Sequence, residues 1–413
     1  TGWSVSTVRK WRRRADQGRQ SLVSVMGRPA TGSLSTFPSP IRETIRAWRN
    51  AYPGRSPKTL RADLEADECF DGQDLPSPRS IARFLKEKEM THSYERHSEL
   101  PQPDQDTPRA PHKEWEMDAR SQEYVPCVGM VTLINLNDRY SRVRLLSYPC
   151  WLDSKRVERL PDTENYQLVL RLEFAEWGLP DCIAMDRDSV FYDNATKSPF
   201  PTRMHQWLLA LGITVLFGRP GRATDQGMTE RSHQLWARQV LEGQSFVNWD
   251  ALCQSLRQRR TFLNNCLPCA TLGERPPLIA CPEAKTPRRL YRPEWEAELL
   301  DLSRVYAYLA QARWFRRVST VETVSLGGQV YGLGRAWAKQ QVEITFDASE
   351  QLLIFLSAGG EPIKHLPIQG ITHESLMGEM GPPCRSSRVS NGSPFHLGRV
   401  AGDTTLWHIG GMT

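Results

Sequence analysis

The residues best suited to chemistry in this chain are acids carried on separate elements. Asp118 ends the run Trp115-Glu116-Met117-Asp118, Asp186 ends Ile183-Ala184-Met185-Asp186, and Glu230 lies in Gly227-Met228-Thr229-Glu230-Arg231. Carboxylate oxygens are the ligands that hard divalent cations require. Two such ions about 3.5 to 4 Å apart turn water or a hydroxyl into a nucleophile and absorb charge on a leaving oxygen, which is what phosphodiester cleavage at neutral pH demands. Asp118, Asp186 and Glu230 are therefore read as both the catalytic and the metal-binding residues, for two Mg²⁺ or Mn²⁺ ions. Asp188 is an open rival to Asp186, because period-two spacing sets both on one face of an extended segment. With 47 Asp and Glu in the chain, any one acid is by default a surface carboxylate. The reading therefore rests on the joint placement of three.

That placement depends on the elements around them. Glu114 to Ala119 reads as a strand, Cys127 to Asn137 as a second and Arg142 to Tyr148 as a third, with Asn137-Asp138 supplying a turn. Thr163 to Gly178 is an amphipathic helix closed by its glycine. Asp181 to Asp186 is a fourth strand, Met204 to Leu211 a helix, Ile213 to Phe217 a fifth strand and Gln226 to Leu241 a helix. Three antiparallel strands followed by two parallel ones joined by helices describe an α/β RNase H-like core over residues 113–282. In that topology the first and fourth strands are neighbours, so their terminal aspartates project together. Glu230, a turn into its helix, reaches the same point.

The flanking segments are of other kinds. Residues 1–26 begin with Ser4 or Ser6 as a helix cap, Val8 and Trp11 on one face, and Arg9, Lys10, Arg12 and Arg13 pointing outward. This is the pattern of a partial helix-turn-helix, with a solvated charged helix as the plain alternative. Gly27-Arg28-Pro29 forbids regular structure and leaves Arg28 on an extended arm fit for a narrow minor groove, or on an ordinary linker. Residues 38–90 read as a second helix-turn-helix, with Ser-Pro starts at Ser56-Pro57 and Ser77-Pro78. Its third helix buries Ile81, Phe84 and Leu85 and turns Arg79, Arg83 and Lys86 outward, as a helix entering a major groove requires. Residues 91–112, polar and proline-rich, are a linker. Further on come a linking helix at 294–313, a small C-terminal β-barrel at 314–372 from five short strands, and a tail at 373–413 whose Gly, Ser and Pro content predicts disorder.

Composition narrows the partners. The net charge of the chain is +6, yet residues 1–60 hold twelve Lys or Arg against two acids, +10, which leaves the remainder at −4. A basic segment beside an acidic body is the footprint of a polyanion-binding arm. No apolar run approaches the length of a membrane span, so the expectation is a soluble cytoplasmic protein with no membrane partner. The nine cysteines lack the dense even spacing of a disulfide scaffold and read as thiols. Cys266 and Cys269, with Cys281, have zinc-like initial spacing but no fourth ligand at a suitable distance. His205 and His233 read as exposed or packing residues.

On these residues the chain resembles the DDE transposases and retroviral-type integrases, with bacterial insertion-sequence transposases as the nearest kind. The match includes Asn137-Asp138-Arg139-Tyr140-Ser141-Arg142 after the second strand, Asp186-Arg187-Asp188-Ser189-Val190-Phe191 after the fourth, Gly227-Met228-Thr229-Glu230-Arg231, and the closing stretch Leu272-Gly273-Glu274-Arg275-Pro276. Two departures stand out: Arg187-Asp188 replaces the usual Asn-Gly, and the spacing from Asp186 to Glu230 is longer than usual, which fits an inserted loop around residues 192–197. The resemblance implies cleavage at transposon ends and strand transfer into target DNA, with no covalent protein intermediate. It further implies phosphate contacts from Arg231, Arg219 and Arg222, a homo-oligomer on double-stranded DNA, and a bacterial, nucleoid-associated location. It leaves room for an ATP-dependent helper protein. A catalytically dead or truncated remnant that only binds DNA is the alternative.

Overall fold

The computed structural model describes residues 2–16, 32–91, 108–151, 161–218 and 227–378, and for residues 120–122, 151 and 227–230 the description stops at the backbone. Helix α1 (Val5–Asp16) starts where Ser4 Oγ accepts the Thr7 amide. It buries none of its residues, and Val8 is 49% exposed, so its apolar stripe is left uncovered by any described residue. Three helices follow, α2 (Ser39–Ala51), α3 (Pro57–Glu65) and α4 (Pro78–Glu87). Ser56 and Ser77 cap α3 and α4 by accepting the amides of Thr59 and Ser80, and proline occupies the first helical position of each, where a missing N–H costs nothing. Ile41, Ile45, Leu60, Leu64, Ile81, Phe84 and Leu85 close a small core between them.

The central sheet is built from β1 (Glu114–Val125), β2 (Gly129–Asp138) and β3 (Arg144–Trp151), then, after α5 (Thr163–Trp177), β4 (Cys182–Met185), and after α6 (Arg203–Ala210), β5 (Thr214–Phe217). The strand order is β3-β2-β1-β4-β5, antiparallel among the first three and parallel from β1 through β4 to β5. First and fourth strands are thus neighbours in a mixed α/β sheet. Strand β1 runs well past the expected end at Ala119, with a register shift between Arg120 and Glu123. Strand β3 starts later than the apolar run predicts, because Arg142 has a positive φ of 62° in a turn organised by Asp138. The Asp138 carboxylate accepts the amides of His112 and Ser141, both at 2.8 Å, and the Ser141 hydroxyl at 2.5 Å. So Asp138 and Ser141 of the quoted motif are builders of the turn.

One face of the sheet packs on α5 and α6 through Trp115, Phe174 and Trp207, whose rings lie 5.8 and 5.9 Å apart in succession. All three are fully buried, and each contributes about 3 kcal/mol of apolar burial. The other face carries Val131 and Leu133 under α7 (Gly227–Trp236), its continuation as a π-helical turn, Ala237–Leu241, and α8 (Trp249–Asn265). The sequence predicts one uninterrupted helix here. The π-turn coincides with a buried contact to the three-helix unit: Gln239 Oε1 accepts from Arg259 of α8, and Arg259 and Arg55 both reach Asp63 of α3, at 2.6 and 3.2 Å.

Beyond α8, the one-turn helix α9 (Pro277–Ala280) leads into a proline-rich stretch that runs back over the core. The expected linking helix is two pieces, α10 (Glu296–Leu299) and α11 (Leu302–Ala310). Between them the Asp301 amide bonds to the Ala210 carbonyl while the Asp301 side chain caps α11. Glu296, wholly buried, anchors the stretch: it accepts two hydrogen bonds from Arg171, one from Trp207 and one from Tyr291.

The expected small barrel is not formed among the described residues. Strands β6 (Trp314–Arg317), β7 (Thr323–Leu326), β8 (Gln329–Gly332), β9 (Gln341–Asp347), β10 (Leu352–Leu356) and β11 (Pro362–Pro367) make an open four-stranded sheet, β11-β10-β9-β6, and a separate β7-β8 hairpin. Its apolar face, with Ile344, Phe346, Leu353 and Phe355, joins the same core as α5, α6 and α11. Closure is unnecessary when neighbouring elements cover that face. The chain then enters α12 (His373–Met377), inside the segment expected to be a tail. Thr372 and Ser375 form its capping box, Leu376 is buried, and the Leu376 carbonyl accepts from Gln167 at 2.7 Å. Residues 379–413 lie outside the described residues.

Candidate active site and nucleic-acid interface

The β1–β4 register sets Glu114, Trp115 and Glu116 beside Cys182, Ile183 and Ala184. Pairing stops at Glu116 and Ala184; two residues on, Asp118 is still within β1 and Asp186 is the first residue past the end of β4. Met117 points the other way from Asp118, into the core. Asp118 is therefore not at the end of its strand but at the point where β4 leaves it.

The carboxylate of Asp186 is half-buried, and burial first, with repulsion from Asp188 added, raises its pKa above the usual carboxylate value. Its Oδ1 accepts the Asp188 amide at 3.1 Å. The Asp188 side chain is turned to local use, with Oδ1 accepting from the Val190 amide at 3.0 Å and from the Ser189 hydroxyl at 3.1 Å. Tyr166 sits within reach of all these charges. Its hydroxyl is pushed up by burial first and then by Asp188 and Asp186, with a smaller effect of Asp118.

Helix α7 covers this face. His233 Nε2 is 3.8 Å from Asp118 Oδ2, with the two side chains 15% and 18% exposed. The Ser232 hydroxyl donates to Asn137 Oδ1 at 3.3 Å. Residue 230 lies one turn before His233 in α7, on the same side of the helix by spacing, and the Glu230 side chain is outside the described residues. Among the described residues no three His, Cys, Asp or Glu side chains gather closely enough to hold a metal. The two described aspartates are hard oxygen donors, one of them desolvated, a combination that suits Mg²⁺ or Mn²⁺.

His233, expected to be an exposed or packing residue, is half-buried with its ring 3.8 Å from Asp118, and it lies at i+3 from Glu230. Asn135 and Ser147, which stand in the Asp118 row on β2 and β3, carried no local signal. His205 is a packing residue, between the rings of Phe217 and Tyr308, and burial pushes its pKa down to about 4. Cys266, Cys269 and Cys281 are free thiols.

The loop after Asp186, which the sequence marks as an insertion, is tied to the C-terminal sheet. Asp193 accepts the amides of Ala195 and Phe200 and pairs with Arg316 of β6 at 3.7 Å, and Arg316 donates to Ser198 at 2.8 and 2.9 Å. Of the basic candidates, Arg79, Arg83 and Lys86 are exposed on one face of α4, Arg9, Lys10, Arg12 and Arg13 are exposed on α1, and Arg231 is exposed on α7. Arg28, Arg219 and Arg222 lie outside the described residues.

No family model matches the chain, and no curated protein matches it. Among solved structures it is similar to the HTLV-2 integrase catalytic core domain in complex with magnesium (trimeric form), at 10% identity and a TM-score of 0.30, over 42% of this chain and 98% of that one. It is also similar to a chain of the simian T-cell lymphotropic virus intasome in complex with PP2A regulatory subunit B56 gamma, at 14% identity and a TM-score of 0.34, over 76% of this chain and 98% of that one.

Proposed function

We propose that the chain is a DNA transposase or integrase of the DDE type, a metal-dependent polynucleotidyl transferase with an RNase H-like core. The observation that supports this reading is the parallel pairing of β1 with β4, which ends at Glu116 and Ala184, two residues short of Asp118 and Asp186, on a sheet packed against the helix that contains Glu230. Asp118, Asp186 and Glu230 would hold two Mg²⁺ or Mn²⁺ ions, whose charge lowers the pKa of a bound water or hydroxyl and stabilises the leaving oxygen.

The chain's own residues do the rest. Asp118 stands on a strand anchored by the buried Trp115 and Met117, so the backbone that carries its carboxylate is held in place. Asp186 offers an oxygen already stripped of much of its water. Arg231, exposed on α7, would contact a phosphate of the cleaved strand. The exposed cations of α4 and α1 would read or hold the flanking duplex, and joining two ends in concert calls for an oligomer on DNA.

The test is strand transfer. Purified protein with Mg²⁺ or Mn²⁺, a labelled duplex bearing the terminal sequences of the encoding element, and a plasmid target should yield joined product that Asp118→Asn abolishes. Binding of the duplex without any joining, under both metals, would leave a DNA-binding remnant instead.

A further inference from the structure

Cross-strand register extends the Asp118 row across the sheet: Asp118 faces Asn135 on β2, and Asn135 faces Ser147 on β3. Asn135 is on the side covered by α7, because its neighbours two residues away are Leu133, packed with Trp236 and Val240, and Asn137, bonded to Ser232. Its exposure is 0%, and neither Oδ1 nor Nδ2 has a hydrogen-bond partner among the described residues. Ser147 Oγ is buried in the same condition. A buried amide so placed carries the whole cost of its desolvation, which a leucine of similar size would avoid. Val131 and Leu133 show that the same face accepts apolar residues. The polar side chains fall in the row that ends on Asp118, where opposed Cβ atoms are about 4.5 to 5.5 Å apart.

We propose that Asn135 is a positioning residue for Asp118. In the loaded site its Nδ2–H donates to one oxygen of the Asp118 carboxylate, while the Ser147 hydroxyl donates to Asn135 Oδ1 and fixes the amide's orientation. The other Asp118 oxygen is thereby presented to the cation. This rests on the reading of Asp118 as a metal ligand. Groups that orient metal ligands from behind change metal affinity by about 10- to 100-fold when removed.

The experiment uses the full chain and the variants Asn135→Leu, Asn135→Thr, Ser147→Ala and Asp118→Asn. Each is melted without metal, titrated with Mn²⁺ by the electron paramagnetic resonance of the free ion, and assayed for strand transfer. Asn135→Leu is expected to melt at or above the wild-type temperature, yet to bind Mn²⁺ about 10-fold more weakly and to join DNA correspondingly more slowly at fixed Mn²⁺. Asn135→Thr, which keeps a donor, should recover most of the affinity. An Asn135→Leu chain with wild-type Mn²⁺ affinity overturns the proposal. If that variant does not fold, unchanged affinity in Ser147→Ala overturns it instead. Wild-type protein that binds Mn²⁺ through Asp118 but joins no DNA would defeat the transferase reading alone, and the binding series would still decide the role of Asn135. A wild-type chain that binds no Mn²⁺ at Asp118 defeats both.

Discussion

His233 Nε2 lies 3.8 Å from Asp118 Oδ2, so the side of α7 that faces β1 brings an imidazole to the first aspartate of the candidate site. His233→Ala should lower the single-turnover joining rate by about 10-fold or more, the size expected for loss of a group behind a metal ligand, while Asp118→Asn abolishes joining. A His233→Ala chain with an unchanged rate would remove the histidine from the site.

Asp186 and Asp188 should separate cleanly. Asp186→Asn is expected to reduce joining by about a thousandfold, several kcal/mol of lost charge stabilisation. Because burial works against its charged form, the same substitution should leave the melting temperature of the metal-free protein equal or higher. Asp188→Ala should do the reverse, keeping most activity and costing about 1 kcal/mol through loss of its bonds to Val190 and Ser189. Parallel kinetics and denaturant melts check both, and an inactive Asp188→Ala would shift the ligand role to that residue.

The three-helix unit is held to the core by Asp63 between two buried arginines, Arg55 and Arg259. Removing the acid leaves like charges facing each other in a buried contact. Asp63→Ala should therefore cost about 3 to 5 kcal/mol, measured by urea denaturation. A loss below about 1 kcal/mol would mean that water reaches the pair.

Acid sensitivity should have a histidine component. Burial lowers the His205 pKa from 6.5 to about 4 in the folded chain. The unfolded state thus takes up the proton first, and stability present above pH 6.5 is lost as pH falls toward 4. The expected loss is on the order of 3 kcal/mol. Comparing wild type with His205→Gln in denaturant melts at about pH 7.5 and about pH 4.5, on either side of the unfolded value, isolates it from the carboxylates. Equal pH slopes would refute it.

If α4 meets DNA through Arg79, Arg83 and Lys86, each alanine substitution should reduce the slope of log affinity against log salt by about 1 for every phosphate left without its cation. Fluorescence anisotropy across a salt series gives the slope. Unchanged slopes would make α4 a purely structural helix, the alternative that its apolar stripe of Ile81, Phe84 and Leu85 also satisfies.

Much of this was legible in the chain because it is decided locally. Ser56-Pro57 and Ser77-Pro78 start helices through their own hydroxyls and a fixed φ. Asp138 and Ser141 lock a short turn, and the alternation around Asp118 sets its face whatever the strand pairs with. Other features needed partners distant in sequence. The open β6–β11 sheet stays open because α11 and the core supply cover that the strand pattern does not contain. The break between α10 and α11 depends on the Ala210 carbonyl, the π-turn coincides with a contact to Asp63 through Arg259, and α12 is held by Gln167 and Arg171.

The site divides along the same line. Residue type and local spacing were enough to nominate Asp118, Asp186 and Glu230, since hard-cation chemistry admits few side chains and each acid follows an apolar run or lies in the first turn of a helix. Only the tertiary structure decided that β4 leaves β1 just before Asp118, that Asp188 spends its oxygen on a turn, and that His233 and the Asn135–Ser147 row stand behind the first aspartate. Those relations arise from strand register and helix packing, which join residues far apart along the chain and leave no periodic trace in the sequence.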